Sequence, residues 1–134
     1  METIKIVLEK TDTGYSAYSD ELPGIIATGK TYDDVKSTMH DAINQHLELL
    51  KELEEEIPKV LQSDYQLNYK LDSSTFFEWL NGIMTKSAIS RISGINQSLL
   101  SQYATGVKTP SQKQLLRIEK AIHQFGADLQ SFSF

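Results

Sequence analysis

Gln97, Ser98, Ser101 and Gln102 are four short neutral hydrogen-bonding side chains within one six-residue run that holds no acid. Glutamine can pair with adenine through two hydrogen bonds, and serine can bond either kind of base, so this grouping suits the edge chemistry of a DNA groove. A second grouping is acidic: Glu48, Glu52, Glu54, Glu55 and Glu56 follow one another closely. Metal-dependent nuclease chemistry would need several carboxylates converging on a pair of metal ions. The acids here fall in caps, turns and a helix end, with no strand-borne cluster. His40 and His46 are six positions apart on an expected helix, so they project about 120° away from each other at roughly 100° per residue. His123 has no ligand-type neighbour. The expectation is a non-enzymatic protein with no metal site and no cofactor.

The chain of 134 residues is long enough for one ordinary domain or two small ones. It lacks cysteine, which excludes disulfides and thiolate metal sites. Glu2 and Lys5 interrupt the start and no apolar stretch follows, so no signal peptide is read there. No apolar run approaches a membrane span, and the expected location is the cytoplasm. The net charge of −5 hides a division. Residues 1–72 hold 15 acids against seven Lys and Arg, a net −8, whereas residues 73–134 hold three against six, a net +3. The basic part has the sign to approach phosphate, and the acidic part would repel DNA and attract a basic protein.

The periodicities divide the chain at the same place. Ile4, Ile6 and Leu8 alternate with Lys5, Val7 and Glu9, predicting a strand. Asp12-Thr13-Gly14 marks a turn into a second strand over Tyr15 to Ser19. Pro23-Gly24 precedes a third over Ile25 to Thr28. Thr31 is an N-cap with Asp34 placed to complete a capping box. Val35, Met39, Ala42, Ile43, His46, Leu50 and Leu53 then predict one apolar helix face, with Pro58 ending the helix. Tyr65, Leu67, Tyr69 and Leu71 alternate with polar residues in the clearest strand of all. The first part, 1–72, thus reads β-β-β-α-β, a sheet with one packed helix, and the fold class is α+β. Asp72-Ser73-Ser74 is the expected linker, and 73–134 reads as all helical, beginning with a short helix over Thr75 to Asn81.

Between Lys86 and Phe125 the turn residues are explicit. A helix containing Ile89 and Ile92 should stop at Gly94, a residue free to take the left-handed conformation. Asn96 should cap a helix from Gln97 to Thr105 that stops at Gly106. Thr109 is expected to cap the last helix, with Pro110 in its first position, Gln112 completing a capping box, and Leu115, Leu116, Ile118, Ala121, Ile122 and Phe125 buried. A helix, a glycine turn and a second helix with a defined start make a helix-turn-helix. Gln97, Ser98, Ser101, Gln102 and Thr105 face away from its bundle side. The caps and spacing alone are equally compatible with a plain helical bundle whose polar face is only solvated.

The run from Ser87 to Ile122 resembles the Cro/repressor-like (XRE-type) helix-turn-helix family through Gly94, the small-residue helix from Gln97, Gly106, Pro110-Ser111, and Leu115 with Ile118. That resemblance implies that Gln97, Ser98, Ser101 and Gln102 read bases while Lys86 and Lys108 meet phosphates of double-stranded operator DNA. Residues 4–72 resemble the HicB antitoxin family, carried by Tyr18, Pro23-Gly24, Gly29-Lys30-Thr31, Asp33-Asp34-Val35 and Ala42-Ile43. It implies a partial ribonuclease-H-like fold that neutralises a small basic RNA-cleaving toxin of the HicA kind, in an antitoxin that represses its own operon. Glu48, Glu52 and Glu55 are the candidate toxin contacts, since acids near a helix C-terminus oppose its dipole and are not placed for helix stability. A solvated charge run is the plain alternative. Leu129, Phe132 and Phe134 are candidate dimer contacts, or a frayed tail, in a homodimer or higher even oligomer. A stand-alone regulator whose first domain senses a ligand or another protein is the competing function.

Overall fold

The computed structural model describes residues 1–134. It is an α+β protein with a four-stranded mixed sheet and five α-helices, and the chain divides into two compact units, Met1–Asp72 and Ser73–Phe134.

In the first unit, β1 (Glu2–Lys10), β2 (Tyr15–Tyr18), β3 (Ile26–Gly29), α1 (Tyr32–Glu52) and β4 (Tyr65–Lys70) follow in order. The sheet order is β3-β2-β1-β4. β1 is antiparallel to β2 and parallel to β4, with Ile4 beside Leu67 and Ile6 beside Tyr69. Alternation sends Ile4, Ile6 and Leu8 to one face, where they are almost completely buried with Ala17 and Ala27. α1 packs on β2 and β3. It contributes Val35, Met39 and Ile43, all fully buried. Thr31 caps it, its hydroxyl accepting the Asp34 N–H at 3.1 Å.

The far end of α1 corrects the expectation that Pro58 closes it. The helix stops at Glu52, and Glu54 takes a left-handed conformation at φ 53°. The Glu55 N–H reaches the Leu50 carbonyl at 2.9 Å, and the Glu54 N–H reaches that of Lys51 at 3.2 Å. This is a Schellman closure built on a glutamate rather than a glycine. Pro58 instead caps a single 3-10 turn, Lys59–Leu61. Leu53, expected on the buried face, lies outside the helix and is 57 % exposed.

The second unit comprises α2 (Ser73–Leu80), α3 (Lys86–Ser93), α4 (Gln97–Thr105) and α5 (Gln112–Gln130). Its core joins Phe77 and Leu80 to Ile89, Ile95, Leu100, Tyr103 and Ile118. α5 begins two residues later than expected. Ser111, not Thr109, is the N-cap, its hydroxyl accepting the Gln114 N–H at 3.2 Å. Pro110 is buried just before the cap instead of opening the helix. Of the apolar residues expected to be buried on α5, Ile118 alone is fully so, and Leu116 is exposed. The physical reason is that α5 packs mainly against α3, so the stripe beyond that contact has less to cover it.

No helix of the chain is long and apolar enough to cross a membrane.

Candidate nucleic-acid and protein interfaces

The α3–α4 corner is assembled from local rules and one distant side chain. Thr85 caps α3, accepting the Ala88 N–H at 3.0 Å. Gly94 ends that helix at φ 73°, where its N–H bonds the Ser90 carbonyl. Ser93 is buried in the turn, its hydroxyl donating to the Ile89 carbonyl at 2.7 Å and accepting the Ile95 N–H at 3.2 Å. Ile95 inserts into the core. Asn96 then starts α4, its side-chain oxygen accepting the Ser98 N–H at 2.8 Å. Gly106 closes α4 in the left-handed region.

Arg117 on α5 holds this corner. Its Nε donates to the Ser93 carbonyl at 3.0 Å and its Nη2 to the Gly94 carbonyl at 3.1 Å. A cation at these two oxygens satisfies acceptors that the end of α3 leaves over and opposes the negative end of its dipole. Sequence reading missed this residue, and its position within an amphipathic helix held no local signal. A side chain at position 94 would be strained by the positive φ, and its Cβ would lie 2.9 Å from the Arg117 Nη2. We expect Gly94→Ala to cost about 1–2 kcal/mol. Thermal unfolding followed by Trp79 fluorescence measures it, and an unchanged midpoint would mean the turn relaxes freely.

Gln97, Ser98, Ser101 and Gln102 all lie on α4, within an arc of about 140° at roughly 100° per residue. Gln97 and Ser98 are exposed, and Ser101 and Gln102 are half-buried. Leu100 and Tyr103 are buried on the other side of the helix. Thr105 is exposed, but its hydroxyl bonds the Ser101 and Gln102 carbonyls of its own helix. Lys86 opens α3 and is half-buried, while Lys108 follows α4, its N–H donating to the Gln102 carbonyl at 3.2 Å. Neither α3 nor α4 contains an acid; the three acids of this unit are Glu78 on α2 and Glu119 and Asp128 on α5. α3 and α4 themselves therefore present no like charge to phosphate.

The acidic surface of the first unit is divided by the end of α1. Glu48 and Glu52 stand one turn apart on α1, whereas Glu54, Glu55 and Glu56 follow the helix and do not oppose its dipole from within. All five are exposed, and so are Leu49 and Leu53 beside them, at 50 % and 57 %. Sequence reading missed this mixture of acids and bare leucines because it assigned Leu53 to the core.

No histidine stands in a group of three or more ligand-type side chains that could hold a metal ion. His40 Nε2 lies 3.3 Å from the Tyr69 hydroxyl. Lys36 Nζ sits 4.9 Å from the ring centres of both Tyr32 and Tyr69, which joins α1 to β4 through cation–π contacts. Burial pushes the Tyr32 and Tyr69 hydroxyls up from the usual phenol range, with Asp33 adding to the first and Tyr32 to the second. The Leu129 side chain is 54 % exposed in the last turn of α5, and Phe132 and Phe134 lie beyond the helix, both exposed.

The chain matches no protein-family model and no curated protein sequence.

Proposed function

We propose that the chain is a type II antitoxin that represses its own operon: its second unit binds operator DNA, and its first unit binds and neutralises a basic RNA-cleaving toxin of the HicA kind. The observation that carries this reading is the α4 face. Gln97, Ser98, Ser101 and Gln102 stand on a short helix whose start is capped by Asn96 and whose approach turn is pinned by Arg117. A helix entering the major groove by its N-terminal residues needs this combination of a defined start, short donors and acceptors, and no acid. Lys86 and Lys108 supply phosphate contacts. Repressors of this architecture act as dimers on two-fold half-sites, and Leu129, Phe132 and Phe134 are the proposed self-association contacts.

The exposed strip of Glu48, Leu49, Glu52 and Leu53 supports the protein-binding half, with Glu55 continuing the acidic surface. Acids around apolar anchors suit a basic partner, because charge steers the encounter and buried apolar area retains it. A stand-alone regulator would use the same α4 face but would have no toxin for this strip. Co-expression with the gene next to its own separates the two. A short basic product that stops growth alone, and no longer does so beside this chain, is the expected result. A harmless neighbour, or toxicity that persists, overturns the antitoxin reading. Charge reversal at Glu48 and Glu52 together should lower toxin affinity about tenfold or more if these are close pairs.

A further inference from the structure

The sheet of the first unit ends at β4, which pairs only with β1. The Glu2 N–H bonds the Asp64 carbonyl at 3.1 Å, and Glu2 sits beside Tyr65. In a parallel ladder this turns the main-chain groups of Gln66, Asn68 and Lys70 toward β1 and those of Tyr65, Leu67 and Tyr69 toward the open side. The usual defences of an edge are sparse: β4 has no proline, and Lys70 is its one charged residue. Burial is also unfinished there. Ile4 and Ile6 on β1 are fully buried, but their neighbours Leu67 and Tyr69 are only half-buried, as is Tyr65, because α1 packs mainly on β2 and β3 and meets β4 at Tyr69 through Tyr32, Lys36 and His40.

We infer that β4 pairs antiparallel with β4 of a second copy of this chain, about a two-fold axis through Leu67, joining two sheets into one. The strand is self-complementary in that register. Tyr65, Leu67 and Tyr69 of one copy would face Tyr69, Leu67 and Tyr65 of the other and exchange both main-chain groups with them. Aromatic pairs would thus cover the half-buried inner face, and Gln66 would stand opposite Asn68 on the outer one. Asp64 would stand opposite Lys70 at both ends, an attraction repeated by the symmetry. Shifting the axis to Asn68 keeps the hydrogen-bonding groups matched but sets Asp64 opposite Asp72, and shifting it to Gln66 sets Asp64 and Lys70 opposite the neutral Asn68 and Gln62, so the Leu67 register is the one of the three that pairs opposite charges. This contact is separate from the one proposed on α5.

Cross-linking tests it without interference from any other self-association. The chain has no cysteine, so introduced thiols are its only ones. Full-length Gln66→Cys is mixed with full-length Asn68→Cys and oxidised mildly. These two positions form a non-hydrogen-bonded pair with Cα atoms ~4.5 Å apart, within disulfide range. The expected product is the mixed disulfide, in clear excess over either homodimer. Absence of cross-linking, or Asn68→Cys alone cross-linking as well as the mixture, overturns the inference. Lys70→Asp in both partners should lower the yield about fivefold, and adding Asp64→Lys should restore it. Both residues are exposed, so circular dichroism should be unchanged throughout. A yield indifferent to these charges also overturns it.

Discussion

Replacing Gln97 and Gln102 together by alanine should abolish sequence-selective DNA binding while leaving the chain folded. Each glutamine that pairs with a base through two hydrogen bonds contributes about 1–3 kcal/mol of discrimination. Losing both should lower affinity for the operator by roughly 100-fold or more per recognition helix, toward the level for unrelated duplex. Gln97 is exposed and Gln102 half-buried, and neither belongs to the core around Leu100. Alanine is also the best helix former, so α4 should persist. The measurement is fluorescence anisotropy with a duplex spanning the promoter of its own gene and with a scrambled duplex, at one fixed salt concentration. An unchanged ratio of the two affinities, with circular dichroism intact, would remove α4 from the groove. Selectivity lost together with the helical signal would mean only that α4 had melted, and Gln97→Ala alone, at the more exposed site, would then decide.

Leu100→Ala should unfold the helical unit and spare the sheet. Leu100 is fully buried, in a cluster with Phe77, Leu80, Ile89, Ile95, Tyr103 and Ile118. Truncating such a leucine costs about 2–5 kcal/mol. A unit of this size has a total stability of only about 3–5 kcal/mol, so the loss is comparable to the whole. The core of the first unit, around Ile4, Ile6, Val35, Met39 and Ile43, shares no residue with it. Trp79, the single tryptophan, belongs to α2 and therefore reports on the helical unit alone. Its thermal transition should fall by tens of degrees or disappear, while the strand signal in the far ultraviolet keeps its own transition. A Trp79 transition like the parent's would mean that the core repacks around the missing side chain. Loss of both transitions together would mean that the two units fold as one.

Much of the arrangement is legible one residue at a time. Asn96 and Gly106 bound α4 because a capping side chain and a left-handed glycine act on their own neighbours. The alternation of Ile4, Ile6 and Leu8, and of Tyr65, Leu67 and Tyr69, assigns two strands because a strand turns its side chains by a period of two wherever it lies. The start of α5 is less legible, since Thr109 and Ser111 are both good caps, and in the fold it is the Ser111 hydroxyl that accepts the Gln114 N–H. Leu53 and Leu116 have the right spacing for a buried stripe and are exposed, Leu53 because α1 stops before it at Glu52, and Leu116 because spacing states which side of a helix is apolar and not how far its neighbour reaches.

The α4 face therefore has two origins. The sequence by itself determined its residues, its helix, its caps and its freedom from acids, all set by interactions within a few positions of the chain. Tertiary structure alone decided that Arg117, distant in the chain, would hold the turn in front of it, that Gln102 would be half-buried, and that β4 would be left at an open edge beside β1. Those outcomes depend on which surfaces meet, and contacts between distant segments leave no periodic trace in the residues that make them.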